Sequence, residues 1–370
     1  MKGIPETLQV MLSVSKAIVS NLEIEKVGQT IVEQASEVVG SDHGALFLME
    51  PANQHLYLMA AKGFDRDEYI NLELLASWEK IEEQVLQARR SLLVNNLDRE
   101  FIKGRLSIKS FLAVPLEQNT RLLGILIVTN KGIGKFTYWD SQILLALANH
   151  ASIAMVNAEL YRENEELFFS IMKSLAEAID AKDPYTHGHA ERVTLYSEGL
   201  AKQLGLPLSE IKSIKIAALL HDVGKIGIPD RILCKDAPLT EEEYRVMQQH
   251  PLIGARIIQG INHSDLIIPG IRDHHERYDG KGYPKGLKAE QISLAGRIVS
   301  ITDAFDAMTT DRPYRKRLPT EEAMMELVRC GGTQFDPELV AEFQRYITKT
   351  REKLFHSTNA AATALPKTAA

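Results

Sequence analysis

The chain has 370 residues, 45% of them hydrophobic and 25% charged, and carries a net charge of −6 at pH 7. The length exceeds one ordinary hydrophobic core and predicts two domains. The composition is that of a globular protein, and the negative balance argues against general nucleic-acid binding by bulk electrostatics. With only Cys234 and Cys330 present, neither a disulfide framework nor a cysteine-based zinc site is implied. The longest clear apolar run, Leu122–Val128, has strand length and falls short of the about 18 residues of a membrane span. The N-terminus lacks the apolar segment of a signal peptide. A cytoplasmic protein without membrane association is expected.

Apolar side chains fall at helical spacing from about Ile4 to Ser20, and again from Leu22 to Val39 through Ile24, Val27, Ile31, Ala35 and Val38. Segments 43–50, 55–64, 91–97, 110–118 and 121–130 alternate or run apolar between turn residues, which predicts strands, and a helix is expected from about Thr137. This order suggests an antiparallel sheet with helices packed on it. From Ile153 to Lys182 there is neither Gly nor Pro; Ile153, Leu160, Leu167, Ile171 and Ala178 recur at sevens and fours, with Asn157 and Asn164 on the same seam. A homodimeric coiled coil would use such a stripe, its Asn residues fixing the register, and the competing use is packing on the chain's own domains.

Beyond Pro184 the pattern is helical, first over 185–206 and then in a helix that Ser209 is placed to cap. The tail, 354–370, is low in complexity and expected to be disordered. The expected division is an α+β domain over 1–158, a linker helix over 159–183 and an all-α domain over 184–353.

Metal chemistry concentrates between Leu219 and Asp306: adjacent His221 and Asp222, then His250, adjacent His274 and His275, and Asp303 inside an apolar helix. Burying that many polar rings without partners would cost several kcal/mol each.

The segments HDVGK, HPLIGARII, HHERYDGKGYPKGL and ITDAFDAMTTDRPYR, within about Asp183 to Phe343, resemble the signature of HD-GYP domains, metal-dependent phosphodiesterases of the bacterial messenger cyclic di-GMP. The resemblance implies His189, His221, Asp222, His250, His274, His275 and Asp303 as ligands of two divalent ions, with Asp222 bridging. Iron is the first expectation and manganese the next, while a histidine-rich set also suits zinc or nickel. It further implies that Lys225 binds phosphate or assists the leaving group. Gly282, Tyr283, Arg312 and Arg315 would grip the substrate, Tyr283 offering a flat face to a guanine. Tyr185 stands where some members carry a metal-binding glutamate, which implies two ions rather than three unless Asp183 or His187 compensates. The implied reaction yields pGpG, and GMP on further hydrolysis. The alternatives are another cyclic dinucleotide as substrate, or a receptor that binds cyclic di-GMP without turnover.

Residues of roughly 5–160 resemble a GAF domain, which implies a regulatory role with an unknown small ligand. Asn130, Lys131, Phe136 and Asp140 partly match a pattern of cyclic-nucleotide-binding members, but Ser141 replaces an acidic residue there, which favours a structural role for this turn. Both cysteines lie outside this region, excluding a thioether-linked bilin.

Overall fold

Alternation along the strands gives the first part of the chain a sheet with two apolar faces. The computed structural model describes residues 24–50, 55–63, 81–96, 101–103, 106–182, 188–261, 264–311 and 316–363. The chain divides into two units at Glu166/Leu167. In the first, helix α1 (Ile24–Val39) is followed by β1 (Ser41–Met49), β2 (Leu56–Lys62), a π-helical turn (Glu82–Gln87), β3 (Leu92–Val94), β4 (Phe101–Lys103), β5 (Leu106–Ile108), β6 (Phe111–Gln118) and β7 (Arg121–Lys131). The five-stranded sheet runs β2-β1-β7-β6-β3 with every pair antiparallel, and β4 and β5 form a separate ribbon. Leu46, Leu112, Val114, Leu126 and Val128 pack on α1 and on Leu144, Ala148 and Ala151 of helix α2 (Tyr138–Lys182). Their neighbours Ala45, Phe111, Ala113, Ile125 and Ile127 face the opposite side. The helix expected over Ile4 to Ser20 lies outside the described residues.

The turn between β7 and α2 uses its motif residues internally. Asn130 Oδ1 accepts the Lys109 N–H at 2.8 Å, while Lys131 Nζ and the Thr137 N–H reach Asp140 Oδ2 at 2.5 and 2.6 Å. Phe136 is buried beneath them.

Helix α2 is continuous over 45 residues. By length and composition alone it is long and apolar enough to cross a membrane. Leu144, Ala151 and Met155, however, belong to the core of the sheet, and Met172, Ala176 and Ile179 to a core of the second unit. Ile153, Leu160, Leu167 and Ile171 remain 49–61% exposed.

The second unit is helical: α3 (His189–Gln203), α4 (Leu208–Leu219), α5 (Asp230–Leu233), α6 (Glu241–Met247), α7 (His250–Ile258), α8 (Ile268–Asp273), α9 (Leu294–Thr309), α10 (Thr320–Arg329) and α11 (Pro337–Thr363). Leu200, Ile211, Ile298, Phe305, Leu327 and Phe343 form one core among α3, α4, α9, α10 and α11. Two expectations are corrected. Helix α4 starts at Leu208 with Pro207 as its N-cap, so Ser209 lies inside the first turn and is not the cap; its carbonyl accepts from Ser213 Oγ at 3.0 Å. The tail expected to be disordered from 354 continues α11 as far as Thr363, and residues 364–370 lie outside the described set.

Candidate metal centre

Each candidate ligand sits at or near a helix terminus, except Asp303, which lies within α9. His189 opens α3 after Gly188, which has φ 70°. Helix α4 ends at Leu219, and His221 and Asp222 occupy the break before the 3-10 turn Val223–Gly227. That turn lies against α7, because a Cβ on Gly224 would fall 1.8 Å from the His250 carbonyl oxygen. Only glycine permits the approach that carries Asp222 to His250. His250 opens α7, and His274 and His275 follow α8.

Three rings are tethered by one local device. Nδ1 lies 2.7 Å from the Ala218 carbonyl in His221, 2.9 Å from that of Met247 in His250, and 2.7 Å from that of Ile271 in His274. Each carbonyl lies three residues back and accepts the Nδ1 proton, which leaves Nε2 as the free donor atom.

The ligand atoms collect in two groups, Asp222, His250, His274 and His275 in one and His189, His221 and Asp303 in the other, each spanning no more than 4.8 Å. Asp222 links them: Oδ1 lies 3.3 Å from His250 Nε2 and Oδ2 lies 3.5 Å from His221 Nε2. Two features fit a metal. His221 Nε2 is buried without a hydrogen-bond partner among the described residues. His250 Nε2 and His274 Nε2 face each other at 3.4 Å, and with both protons held on Nδ1 neither atom can donate. A cation resolves both cases, and the donor set of imidazoles and carboxylates suits divalent transition metals.

The electrostatics agree. Burial works to raise the Asp222 carboxyl, but Lys225 and then the histidines hold it well below the usual carboxylate range. Burial lowers His250 and His274, and burial with His250 pulls His275 down to about 3, so these rings are neutral at pH 7. Burial also opposes charge on His189, yet its hydrogen bonds to Asp303 and Asp306 push it up to about 10 without a metal.

Lys225 reaches Asp222 with Nζ at 2.8 Å from Oδ2. The 3-10 turn Val223–Gly227 brings it there. Tyr283 does not present two free faces: its ring stacks on His275 with centroids 4.8 Å apart and 30° between planes, and Tyr244 meets it edge-on at 6.4 Å. Gly282 is wedged against backbone, its notional Cβ 2.3 Å from Arg277 N. Arg312, Arg315, Tyr185, Asp183 and His187 lie outside the described residues.

The sequence reading gave no role to Glu276, Arg192, Asp306 or Tyr244. Glu276 directly follows the His274–His275 pair and Asp306 lies three residues after Asp303. Those spacings are the available signals, though what each side chain touches depends on the tertiary fold.

Residues 23–155 match the GAF domain family model and residues 173–339 the HD domain family model. The chain carries a GAF domain followed by an HD domain. It is 43% identical over 188 residues to a cyclic di-GMP phosphodiesterase of Thermotoga maritima, covering 50% of this chain and 51% of that protein. It is 40% identical over 190 residues to the cyclic di-GMP phosphodiesterase response regulator RpfG of Xanthomonas campestris, covering 51% and 49%. A 3'3'-cGAMP-specific phosphodiesterase of Vibrio cholerae is 37% identical over 175 residues, covering 47% and 38%. The chain thus spans about half or less of the length of these relatives. In this HD domain, Gly282, Tyr283 and Pro284 form the loop beside His275.

Proposed function

We propose that the chain is a metal-dependent phosphodiesterase that opens cyclic di-GMP to pGpG, with GMP as a further product, under control of its GAF domain. The observation that carries this reading is the convergence of the two ligand groups on Asp222. Bound there, two divalent ions, iron first and manganese next, would supply charge neutralisation and an activated water for attack at phosphorus.

The chain's own residues set up the rest. Asp222 faces both groups and would serve as a ligand common to both ions. Neutral His250, His274 and His275 add no positive charge of their own, so two divalent ions held with Asp222 and Asp303 would leave a positive excess that matches an anionic phosphodiester. Lys225, beside Asp222, grips a phosphate oxygen or stabilises the leaving oxygen. Gly282 and Tyr283 border the substrate on the His275 side, and Arg312 and Arg315 complete its binding.

A relative named for 3'3'-cGAMP motivates a second substrate reading, since both cyclic dinucleotides present the same phosphodiester to the centre. A cytoplasmic homodimer joined through the α2 seam, with a small ligand in the GAF domain and no general nucleic-acid or membrane binding, completes the proposal. The test is metal content and hydrolysis on one anaerobically purified sample supplied with iron or manganese, with cyclic di-GMP and 3'3'-cGAMP compared by kcat/KM. About two ions per chain with pGpG released supports the enzyme; tight binding without product leaves a metal-containing receptor.

A further inference from the structure

The tethers of the candidate ligands are not alike. His221, His250 and His274 each direct Nδ1 to a backbone carbonyl. His189 instead has Nδ1 2.7 Å from Asp306 Oδ2, a buried carboxylate that is also gripped by Arg192, through Nε at 2.6 Å and Nη2 at 3.0 Å. Thr310 Oγ1 lies 3.4 Å from the other oxygen. On its far side, His189 Nε2 points at Asp303 Oδ1, 3.2 Å away. All these partners belong to α3, α9 and the residue capping α9.

We propose that Asp306 and Arg192 are a positioning pair for one ion only, the one taken by His189, His221 and Asp303, and that they make the two metal positions unequal. This rests on the reading that the cluster holds two ions.

A carboxylate acceptor at Nδ1 fixes the tautomer, as a carbonyl does, but also raises electron density at Nε2 and strengthens the metal bond. Arg192 donates to both Asp306 oxygens, which favours the carboxylate as acceptor and leaves the proton on the imidazole. The dependence is concentrated in this group because His189, the ring that Asp306 holds, belongs to it and not to the other. Among the described residues, the hydrogen-bond partners of Asp306 are His189, Arg192 and Thr310, together with the helix backbone.

The experiment uses the full chain loaded with Mn²⁺, comparing wild type with Asp306→Ala, Asp306→Asn, Arg192→Gln and, as a packing control, Ser197→Ala. Ser197 bonds Thr302 at 2.7 Å between the same two helices without touching a ligand. Metal per chain and manganese EPR are read beside folding by circular dichroism. Wild type is expected to hold about two coupled ions. Asp306→Ala should weaken one ion by about 10- to 100-fold, leaving about one ion per chain with an uncoupled six-line spectrum. Asp306→Asn and Arg192→Gln should fall between, and Ser197→Ala should match wild type. Retention of two coupled ions in folded Asp306→Asn and Arg192→Gln, with unchanged affinity, overturns the proposal and leaves the phosphodiesterase reading standing. Equal loss of both ions overturns it too, since the pair would then act on the whole centre. A wild type that binds no metal removes both the proposal and the reading beneath it.

Discussion

The carboxylate of Glu276 holds the backbone N–H of Lys285 at 2.7 Å and, through its other oxygen, that of Leu287 at 2.9 Å. A buried side chain adjoining the His274–His275 pair thus fixes the loop that carries Gly282 and Tyr283. Two hydrogen bonds to a buried charge make Glu276→Ala costly, by roughly 3 kcal/mol of stability. In the fraction that folds, metal content should hold while KM for the cyclic dinucleotide rises. Urea unfolding and steady-state kinetics read the two effects, and an unchanged KM would show that the loop does not meet the substrate.

Lys225 and Asp222 separate charge placement from metal binding. Lys225→Ala should lower turnover by roughly 10²-fold and leave metal content near that of wild type. Asp222→Ala should lose turnover by at least as much and shed metal as well, because Asp222 faces both groups. Elemental analysis beside product chromatography distinguishes them, and a Lys225→Ala protein lacking metal would contradict the assigned division of labour.

In the metal-free protein, stability should peak near pH 6.5. His275, drawn down to about 3, and His250 and His274, also lowered, are neutral in the fold but take up protons when unfolded; stability falls as pH drops below 6.5. His189 has the opposite sign. Its folded value of about 10 contributes stability that is complete below 6.5 and is lost as pH rises through 10. Thermal melts of chelator-treated protein across pH 5 to 9, in roughly one-unit steps, test this; a flat profile above pH 7 would remove the His189 contribution.

The seam on α2 bears on assembly. Ile153, Leu160, Leu167 and Ile171 are exposed beside exposed Asn157 and Asn164, as an unsatisfied coiled-coil stripe would be. Replacing Leu160 and Leu167 with Glu should convert a dimer to monomers in sedimentation equilibrium. A wild-type monomer at tens of micromolar, on the order of ordinary assay concentrations, would end the dimer proposal.

Where local pattern and local chemistry coincide, the sequence was legible. Leu112, Val114 and Leu116 alternate with Phe111, Ala113 and Pro115, so β6 declared itself, and the seven candidate ligands fall into two groups of side chains that could hold a metal. Strands β4 and β5, three residues each, are too short for periodicity to register. Ser209 misled because Pro207 already ends the preceding segment, and the break at Leu219 was hidden by apolar residues continuing to Leu220. Asp306 and Glu276 went unassigned because their partners lie on other elements or across a loop, beyond any local window.

Three of the imidazoles hang from carbonyls three residues back, at places where helices end or begin. Ions held by these rings would therefore also fasten the ends of α4, α6 and α8 together. Ligand present at about 100 times its Kd adds about 2.7 kcal/mol to the folded state, a sizeable share of what keeps a domain folded. On the proposed reading, divalent-metal supply would govern how long the chain survives proteolysis as well as how fast it turns over substrate. Starvation for the ion would deplete the protein itself, and half-lives measured in chelated and replete cells would register that loss.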